Sequence, residues 1–181
     1  MNKIKLKSFP LSKVYGLLEP GPVVMVTTKQ GQKANVMSMS WQTMMEFEPP
    51  LIGCVISGSH YSFEMLMATK ECVIAIPTAE LAGATVKVGN SAGRKTDKFK
   101  KFGLTMLPAS LVGAPLIKEC YANLECKVVD TSWVNKYNFF VLEVCKAWIN
   151  PGIKDPRMIH HRGRGVFAVD GKIIKLPSKA K

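Results

Sequence analysis

Asn35-Val-Met-Ser-Met-Ser-Trp41 is the stretch on which the reading of this chain turns. Polar and apolar residues alternate through it, the period of a strand with one buried face. Its polar positions, Asn35, Ser38 and Ser40, are all small hydrogen-bonding residues, set among Val36, Met37, Met39 and Trp41. A plain solvent face would carry Lys, Glu or Thr. Small polar groups with accessible backbone between them suit the edge of a flat heteroaromatic ring that needs several hydrogen bonds at once. The same pattern also fits a polar edge strand.

Two further clusters carry the argument outward. Ser57-Gly-Ser-His-Tyr-Ser62 places Ser57, Gly58, Ser59, Tyr61 and Ser62 just before an expected helix running to about Thr69, with Ser62 as its N-cap. Free N–H groups and the helix dipole favour an anion there. The hydroxyls of Ser57, Ser59 and Ser62 can donate to phosphate oxygens, and Tyr61 can donate or stack. A Gly/Ser loop with a capped helix is the plainer reading, and Glu64 in the first turn opposes a phosphate placed too near. Ser91-Ala-Gly-Arg-Lys-Thr-Asp-Lys-Phe99 is similarly two-sided. Ser91, Gly93, Arg94, Asp97, Lys98 and Phe99 fit a turn that brings a guanidinium onto phosphate or a ring carbonyl, with Lys98 one turn further on. They equally fit a solvated basic helix start. Taken together, the three clusters point to a phosphorylated, aromatic cofactor.

Strand-like runs dominate the rest. Residues 23–28 are β-branched and follow Pro20-Gly-Pro22, and Lys29-Gln-Gly31 reads as a hairpin loop into the 35–41 strand. Short strands are expected at 51–56 and 72–76, and long ones at 121–129 and 139–149. Residues 79–89 read as helix ending at Gly89, and Thr96 or Asp97 opens a short helix with Phe99 and Phe102 on one face, stopped by Gly103. Asp170-Gly171 between 166–169 and 172–176 predicts a two-residue hairpin. Many strands with a few short helices imply a mainly β, antiparallel, barrel-like single domain with its core at about 18–176. Regular strand–helix alternation, GxGxxG and the P-loop are all missing, so any nicotinamide cofactor is not held in a Rossmann domain.

Composition narrows the class. The 181 residues are 47% hydrophobic and 21% charged, an ordinary globular balance. No apolar run approaches the roughly 20 residues of a membrane span. The basic start, Met1-Asn-Lys-Ile-Lys-Leu-Lys7, lacks the apolar centre of a signal peptide, so the expected location is cytoplasmic. The net charge of +12 is concentrated at the ends: Lys3, Lys5, Lys7 and Lys13 at one, Lys172, Lys175, Lys179 and Lys181 at the other, with no acid among them. Within the body, Arg94, Lys95, Lys98, Lys100 and Lys101 against Asp97 form one compact patch, and Arg157, Arg162 and Arg164 beside His160 and His161 form another. Compact patches fit a small anion better than a nucleic-acid track.

The five cysteines are Cys54, Cys72, Cys120, Cys126 and Cys145. They lie in apolar runs without CxxC spacing, which reads as buried free thiols. Cys54, just before the Ser57 cluster, is better explained by packing than by cofactor contact. The tandem His160-His161 has no Asp, Glu or Cys neighbour to complete a metal site and reads as a structural or interface element. No Ser/His/Asp set, paired carboxylates or activated Cys is evident, as befits hydride or electron transfer carried by a cofactor.

These residues resemble the flavin reductase-like FMN-binding proteins of split-barrel fold, most closely flavoredoxins. The resemblance is carried by Pro20-Gly-Pro-Val-Val, the 35–41 strand, Phe47-Glu-Pro-Pro-Leu-Ile-Gly53, His60-Tyr-Ser62, Ile76-Pro77, the 91–99 segment, Gly103-Leu-Thr105, Ala114-Pro-Leu-Ile117 and Leu124-Glu-Cys-Lys-Val-Val-Asp130, in order over roughly residues 18–170. It implies a six-stranded Greek-key split barrel, a homodimer, and non-covalent FMN near the subunit interface. It also implies that the 35–41 strand lines the isoalloxazine, that 57–62 meets phosphate and ribityl, and that Arg94, Asp97, Lys98 and Phe99 belong to a loop closing over the flavin. Arg94 and Lys98 are the candidates for positive charge at the N1–C2=O edge. Flavin reductases that serve monooxygenases usually carry Gly-Asp-His before the strand matching residues 139–144, with the His helping to dock nicotinamide. Asn135-Lys-Tyr137 stands here. That departure weighs against NAD(P)H oxidation and favours an electron carrier fed by a redox partner protein or a small reductant; an NAD(P)H-dependent flavin or ferric reductase is the alternative compatible with the family. A basic ligand- or nucleic-acid-binding module is the non-enzymatic alternative, though the chain has no interleaved aromatic and basic stripe.

Overall fold

A computed structural model describes residues 6–14 and 21–177. Pro20 of the expected first turn, the first lysines and the last four residues lie outside the described residues. The strands are β1 (Lys7–Phe9), β2 (Val24–Gln30), β3 (Lys33–Met39), β4 (Gln42–Phe47), β5 (Pro50–Val55), β6 (Glu71–Ile76), β7 (Met106–Leu107), β8 (Leu116–Ile117), β9 (Ala122–Asp130), β10 (Phe139–Ile149), β11 (Ile159–His161) and β12 (Phe167–Val169). The helices are α1 (Tyr61–Thr69), α2 (Ala82–Gly89), α3 (Lys98–Phe102) and α4 (Val134–Tyr137).

One antiparallel sheet runs β3-β2-β6-β9-β10-β5-β4, with β1 also pairing β10. The mainly β architecture with short helices agrees with the sequence reading, while the sheet holds eight strands against the six expected. The extra members are peripheral. β4 extends the sheet beyond β5, and β1 lies on the C-terminal half of β10. The β2–β3 hairpin turns at Gly31, which adopts φ 58°, with Thr28 opposite Asn35 and Val24 opposite Met39. This register sets β3 at one edge of the sheet, so its outer side is free for helices and loops.

The sheet curves around a core of Val24, Val26, Ile52, Ile74, Leu124, Phe140 and Leu142, all fully buried. Phe63 of α1 meets Phe140 edge-to-face at a centroid distance of 5.4 Å. A second apolar cluster joins Met25, Val36, Val88, Phe99 and Ile117, and fastens α2 and α3 to the sheet. Cys54, Cys72 and Cys126 lie within the main core, and Cys120 in the second. All five thiols are free, and only Cys145 is partly accessible. Burial pushes the thiols of Cys54, Cys120 and Cys126 well up, which disfavours thiolate and supports the packing role read from sequence. Glu125, also fully buried, accepts hydrogen bonds from the backbone N–H groups of Ser110 and Leu111 and from Trp148 Nε1. Those three donors fasten the 110–111 loop to the sheet.

Three expectations need correction. The Asp170-Gly171 hairpin does not form: β12 pairs instead with β11, and residues 171–177 take no strand. The Asp170 carboxylate is used at longer range, by His160 Nε2 at 2.7 Å and the backbone N–H of Met158 at 3.2 Å. The strand expected over 35–41 ends at Met39, and Ser40 and Trp41 form the link into β4. His60 rather than Ser62 occupies the N-cap position of α1, without a side-chain capping bond, and the helix ends with Lys70 in the left-handed region. The short helix after Asp97 is as expected: the Asp97 carboxylate accepts from Lys100 N, and Gly103 terminates it at φ 69°.

Candidate functional site

The three sequence clusters meet at one cavity. Its volume, about 330 Å³, falls in the usual range for small-molecule sites, roughly 300–1,000 Å³. Edge strand β3 supplies Asn35, Met37 and Ser38; the start of α1 supplies Ser59, His60, Tyr61 and Ser62. Gly89, Ser91, Ala92, Gly93, Arg94, Lys95 and Lys98 close the third side. Residues 27 to 62 positions apart in sequence are thereby cross-linked. Asn35 Nδ2 donates to Ser62 Oγ at 2.8 Å, and Lys98 Nζ donates to the carbonyl of Val36 at 2.9 Å.

Asn35 is 3% exposed and its Oδ1 has no hydrogen-bond partner. A buried amide oxygen left unpaired costs about 1–3 kcal/mol, so this atom asks for a donor from a ligand. Gly93 packs against the same amide so closely that a Cβ there would overlap it. Lys98 is 5% exposed and gives a second hydrogen bond to Val88 O at 2.9 Å. Burial lowers its pKa. An ammonium has three N–H donors; two are committed to carbonyls, which leaves one for an acceptor in the cavity. At the α1 end no side chain caps the first turn, and Phe63 N donates to His60 O at 3.0 Å; the dipole and the remaining first-turn N–H groups favour an anion.

The mouth is built differently from expectation. Arg94 pairs with Glu64, and its guanidinium lies 4.7 Å from the Tyr61 ring centroid. Lys33 Nζ is 4.9 Å from the same ring. Arg94 and Glu64 are both about half exposed, so this pair is worth at most about 1 kcal/mol. Glu64 therefore answers to Arg94, which offsets the repulsion of a phosphate anticipated from sequence. Arg94 and Lys98 both line the cavity yet do not converge as a pair, because Arg94 sits at the surface and Lys98 under the floor.

A second cavity of about 390 Å³ adjoins the first, and Ser38 and Gly89 border both. Met39 and Ser40 line it, together with Thr85, Asn90, His161, Arg164 and Phe167. Six residues named from sequence lie outside both walls. Val36 and Phe99 are core residues, and Asp97 is the cap of α3. Ser57 Oγ is 3.0 Å from Ser59 Oγ, Gly58 packs near Asn138, and Trp41 is 71% exposed. Sequence reasoning passed over His60 and Gly89, assigned His161 to structure or interface, and placed Arg164 in a basic patch suited to a small anion without locating it. The basic cluster around residues 157–164 was visible, but nothing local said that it faces β3. His160 does act structurally, held by Asp170 and by Gly21 O.

Residues 17–167 match the flavin reductase-like domain family. The chain belongs to that family. An uncharacterized protein of Archaeoglobus fulgidus is 36% identical over 124 residues, covering 68% of this chain and 70% of that protein. Escherichia coli YddH is 31% identical over 172 residues, covering 87% and 91%. Among solved structures, an FMN-binding domain of a flavin reductases-like enzyme from Shewanella baltica superposes with a TM-score of 0.91 at 24% identity, covering 98% of this chain and all of that one. A flavoredoxin from Methanosarcina acetivorans superposes with a TM-score of 0.75 at 26% identity, covering 87% and 89%. As a flavin reductase-like chain, the protein has the split-barrel fold expected from its sequence. Among the described residues no helix is long and apolar enough to cross a membrane, and no group of three or more His, Cys, Asp or Glu is placed to hold a metal.

Proposed function

We propose that this protein binds FMN non-covalently in the cavity beside β3 and works as a flavoredoxin-like oxidoreductase or electron carrier. The unpartnered, buried Asn35 Oδ1 carries the reading, since the ribityl hydroxyls of FMN are the donors it lacks. The N-terminus of α1, Ser59 and Arg94 would hold the phosphate, and the backbone of residues 37–40 would meet the ring edge. Lys98, desolvated and fixed by two carbonyls, would present one N–H to a flavin acceptor. When bound, FMN supplies a ring that accepts and returns electrons, so no protein acid or base is required. The chain's own part is to orient the ring, exclude water from one face and match the phosphate charge.

A homodimer and a redox partner protein belong to the same proposal. Edge strand β4 carries Met45 and Phe47 about half exposed, next to Trp41 at 71%. Trp133 and Tyr137, whose ring centroids are 5.7 Å apart, are exposed as well. Exposed apolar surface of this kind on and beside an edge strand marks a protein contact. Tyr137 closes α4, where monooxygenase-serving reductases have their nicotinamide-docking His. This favours a protein electron donor.

The test is the visible spectrum of the purified protein, before and after added FMN, followed by NADH or NADPH without oxygen. Flavin absorption that persists through gel filtration and is not bleached by nicotinamide is the expected result. Bleaching would restore the reductase reading, and a colourless protein that takes up no FMN would end the flavin reading.

A further inference from the structure

We infer that a third cavity, between β4, β10 and the start of α4, is a binding site for an alkylammonium cation. Its volume is about 310 Å³, and Met45, Asp130, Trp133, Phe139 and Val141 line it. It shares no residue with either cavity beside β3. Side chains alternate along β10: Phe140 and Leu142 enter the core, so Phe139 and Val141 stand on the outer face of the sheet. Phe139 can lie against that face because Gly53 on the neighbouring β5 has no side chain. A Cβ on Gly53 would overlap the Phe139 ring and lie 2.9 Å from Met45 Sδ. Trp133 is brought alongside by α4. Buried Val134 fixes this helix to the core, and Asn138, at φ 55°, turns the chain into β10.

The Trp133 and Phe139 rings have centroids 6.3 Å apart and are tilted by 53°, so they meet at a corner and do not stack. With the Met45 thioether they form a polarisable apolar wall whose π faces carry negative potential. Among the described residues of the wall, Asp130 alone is charged. Its carboxylate accepts from Ser132 N at 2.7 Å, and the backbone N–H and hydroxyl of Ser132 hold its pKa below the ordinary carboxylate value. The anion therefore persists through the neutral range. Among the described residues no Lys, Arg or His forms an ion pair with it. Lys136 of α4 lies over Tyr137 instead, with Nζ 5.1 Å from the ring centroid, and is not part of the wall. Aromatic rings beside an unpaired carboxylate are what recognises an ammonium on an apolar stem. A phosphate or carboxylate ligand would be repelled here, and a neutral one would leave the Asp130 charge unused. The binding claim stands on this cavity alone. Only one source of the ammonium, a lysine side chain of a second copy, rests on the homodimer proposed above.

Choline is the probe, titrated calorimetrically at constant ionic strength into the FMN-saturated and the FMN-free protein. Wild type should bind it in both forms. The neutral isostere of choline, with a tert-butyl group in place of the trimethylammonium, should bind more weakly by about threefold or more. D130N keeps an acceptor for Ser132 N but removes the charge, and should weaken choline by about threefold or more. W133A, which removes one ring, should do the same. E143Q removes a charge from β10 outside the cavity wall and should leave choline binding within about twofold. FMN affinity should be unchanged in D130N and W133A. Absence of choline binding to wild type overturns the inference, as does equal binding of choline and its neutral isostere. An equal loss in D130N and E143Q, or undiminished binding in W133A, overturns it too. Weakened FMN binding in D130N and W133A would place the cavity in the flavin site and has the same consequence. Sedimentation equilibrium with and without choline identifies the source of the ammonium. Dissociation of an assembly assigns the cavity to a lysine of a second copy, and an unchanged mass assigns it to a free amine. A protein that takes up no FMN counts against the flavin reading alone, and the titration of the FMN-free protein still decides the cavity.

Discussion

Replacing Gly93 by Ala tests the site at its tightest point. A Cβ on Gly93 would overlap Asn35 Oδ1 and lie 2.7 Å from its Cγ and 3.0 Å from Nδ2. Gly93 is not in the left-handed region, so the cost is contact and not backbone strain. The Asn35 amide can retreat only by giving up its 2.8 Å bond to Ser62. Either route, overpacking or an orphaned buried pair, costs about 1–3 kcal/mol. Loss of the amide's position should weaken FMN by about tenfold to a hundredfold, since each 1.4 kcal/mol is a factor of ten. Urea unfolding reads the first quantity and quenching of flavin fluorescence the second. N35A sharpens the test by removing the obstructing amide. In that background G93A should cost almost nothing, giving a coupling of about 1–3 kcal/mol between the two positions. G83A is the control: a Cβ on Gly83 meets nothing within 4 Å in α2, and alanine there should stabilise by about 0.5–1 kcal/mol. Wild-type stability and FMN affinity in G93A, or strictly additive effects in the double variant, would refute the geometry.

Two further outcomes follow from burial. Lys98 has its pKa lowered below the ordinary 10.5 by desolvation, so between its folded-state value and 10.5 the unfolded chain binds more protons than the folded one. Its contribution to stability should therefore rise with pH through that alkaline window. The stability difference between wild type and K98M, measured by urea unfolding from neutral to alkaline pH, should grow in favour of wild type; a flat difference would contradict the burial. Cys54, Cys72, Cys120 and Cys126 are buried, so native protein treated with iodoacetamide should label Cys145 alone, slowly because burial raises its pKa too. Mass spectrometry showing fast modification of Cys54 would place that thiol in the site after all.

Local rules reached most of the sheet because the inner strands are apolar enough to announce themselves. The stretches 23–28, 51–56, 72–76 and 121–129 differ from β2, β5, β6 and β9 by a residue or two at their ends. β4 escaped notice because it is an edge: Gln42, Thr43 and Glu46 interrupt its apolar residues, and its burial alternates only weakly. Asp170-Gly171 misled because turn chemistry is local, whereas the Asp170 carboxylate is recruited by His160 across the β11–β12 pair. Ile173, Ile174 and Leu176 then remain at least two-thirds exposed where a strand was expected.

The site shows where residue type suffices and where only distance in space decides. Small hydroxyls, Asn35 and a basic loop were legible as groups that suit a phosphorylated ring. Their division of labour was not, since each role is set by a partner far away in sequence. Glu64 turns Arg94 into a surface clamp on Tyr61, and Val36 and Val88 turn Lys98 into a desolvated floor. Two cations read from sequence as equivalent thus differ in what they can do. Arg94 is half exposed and paired with Glu64 at the surface, while Lys98 is held by two carbonyls with one N–H left to present. On the proposed FMN placement, the buried Lys98 charge would act on the flavin's electronics and the half-exposed Arg94, paired with Glu64, on its entry. Neutralising Lys98 should accordingly shift the flavin potential downward more than neutralising Arg94 does, whereas Arg94 should govern the rate and salt dependence of FMN uptake.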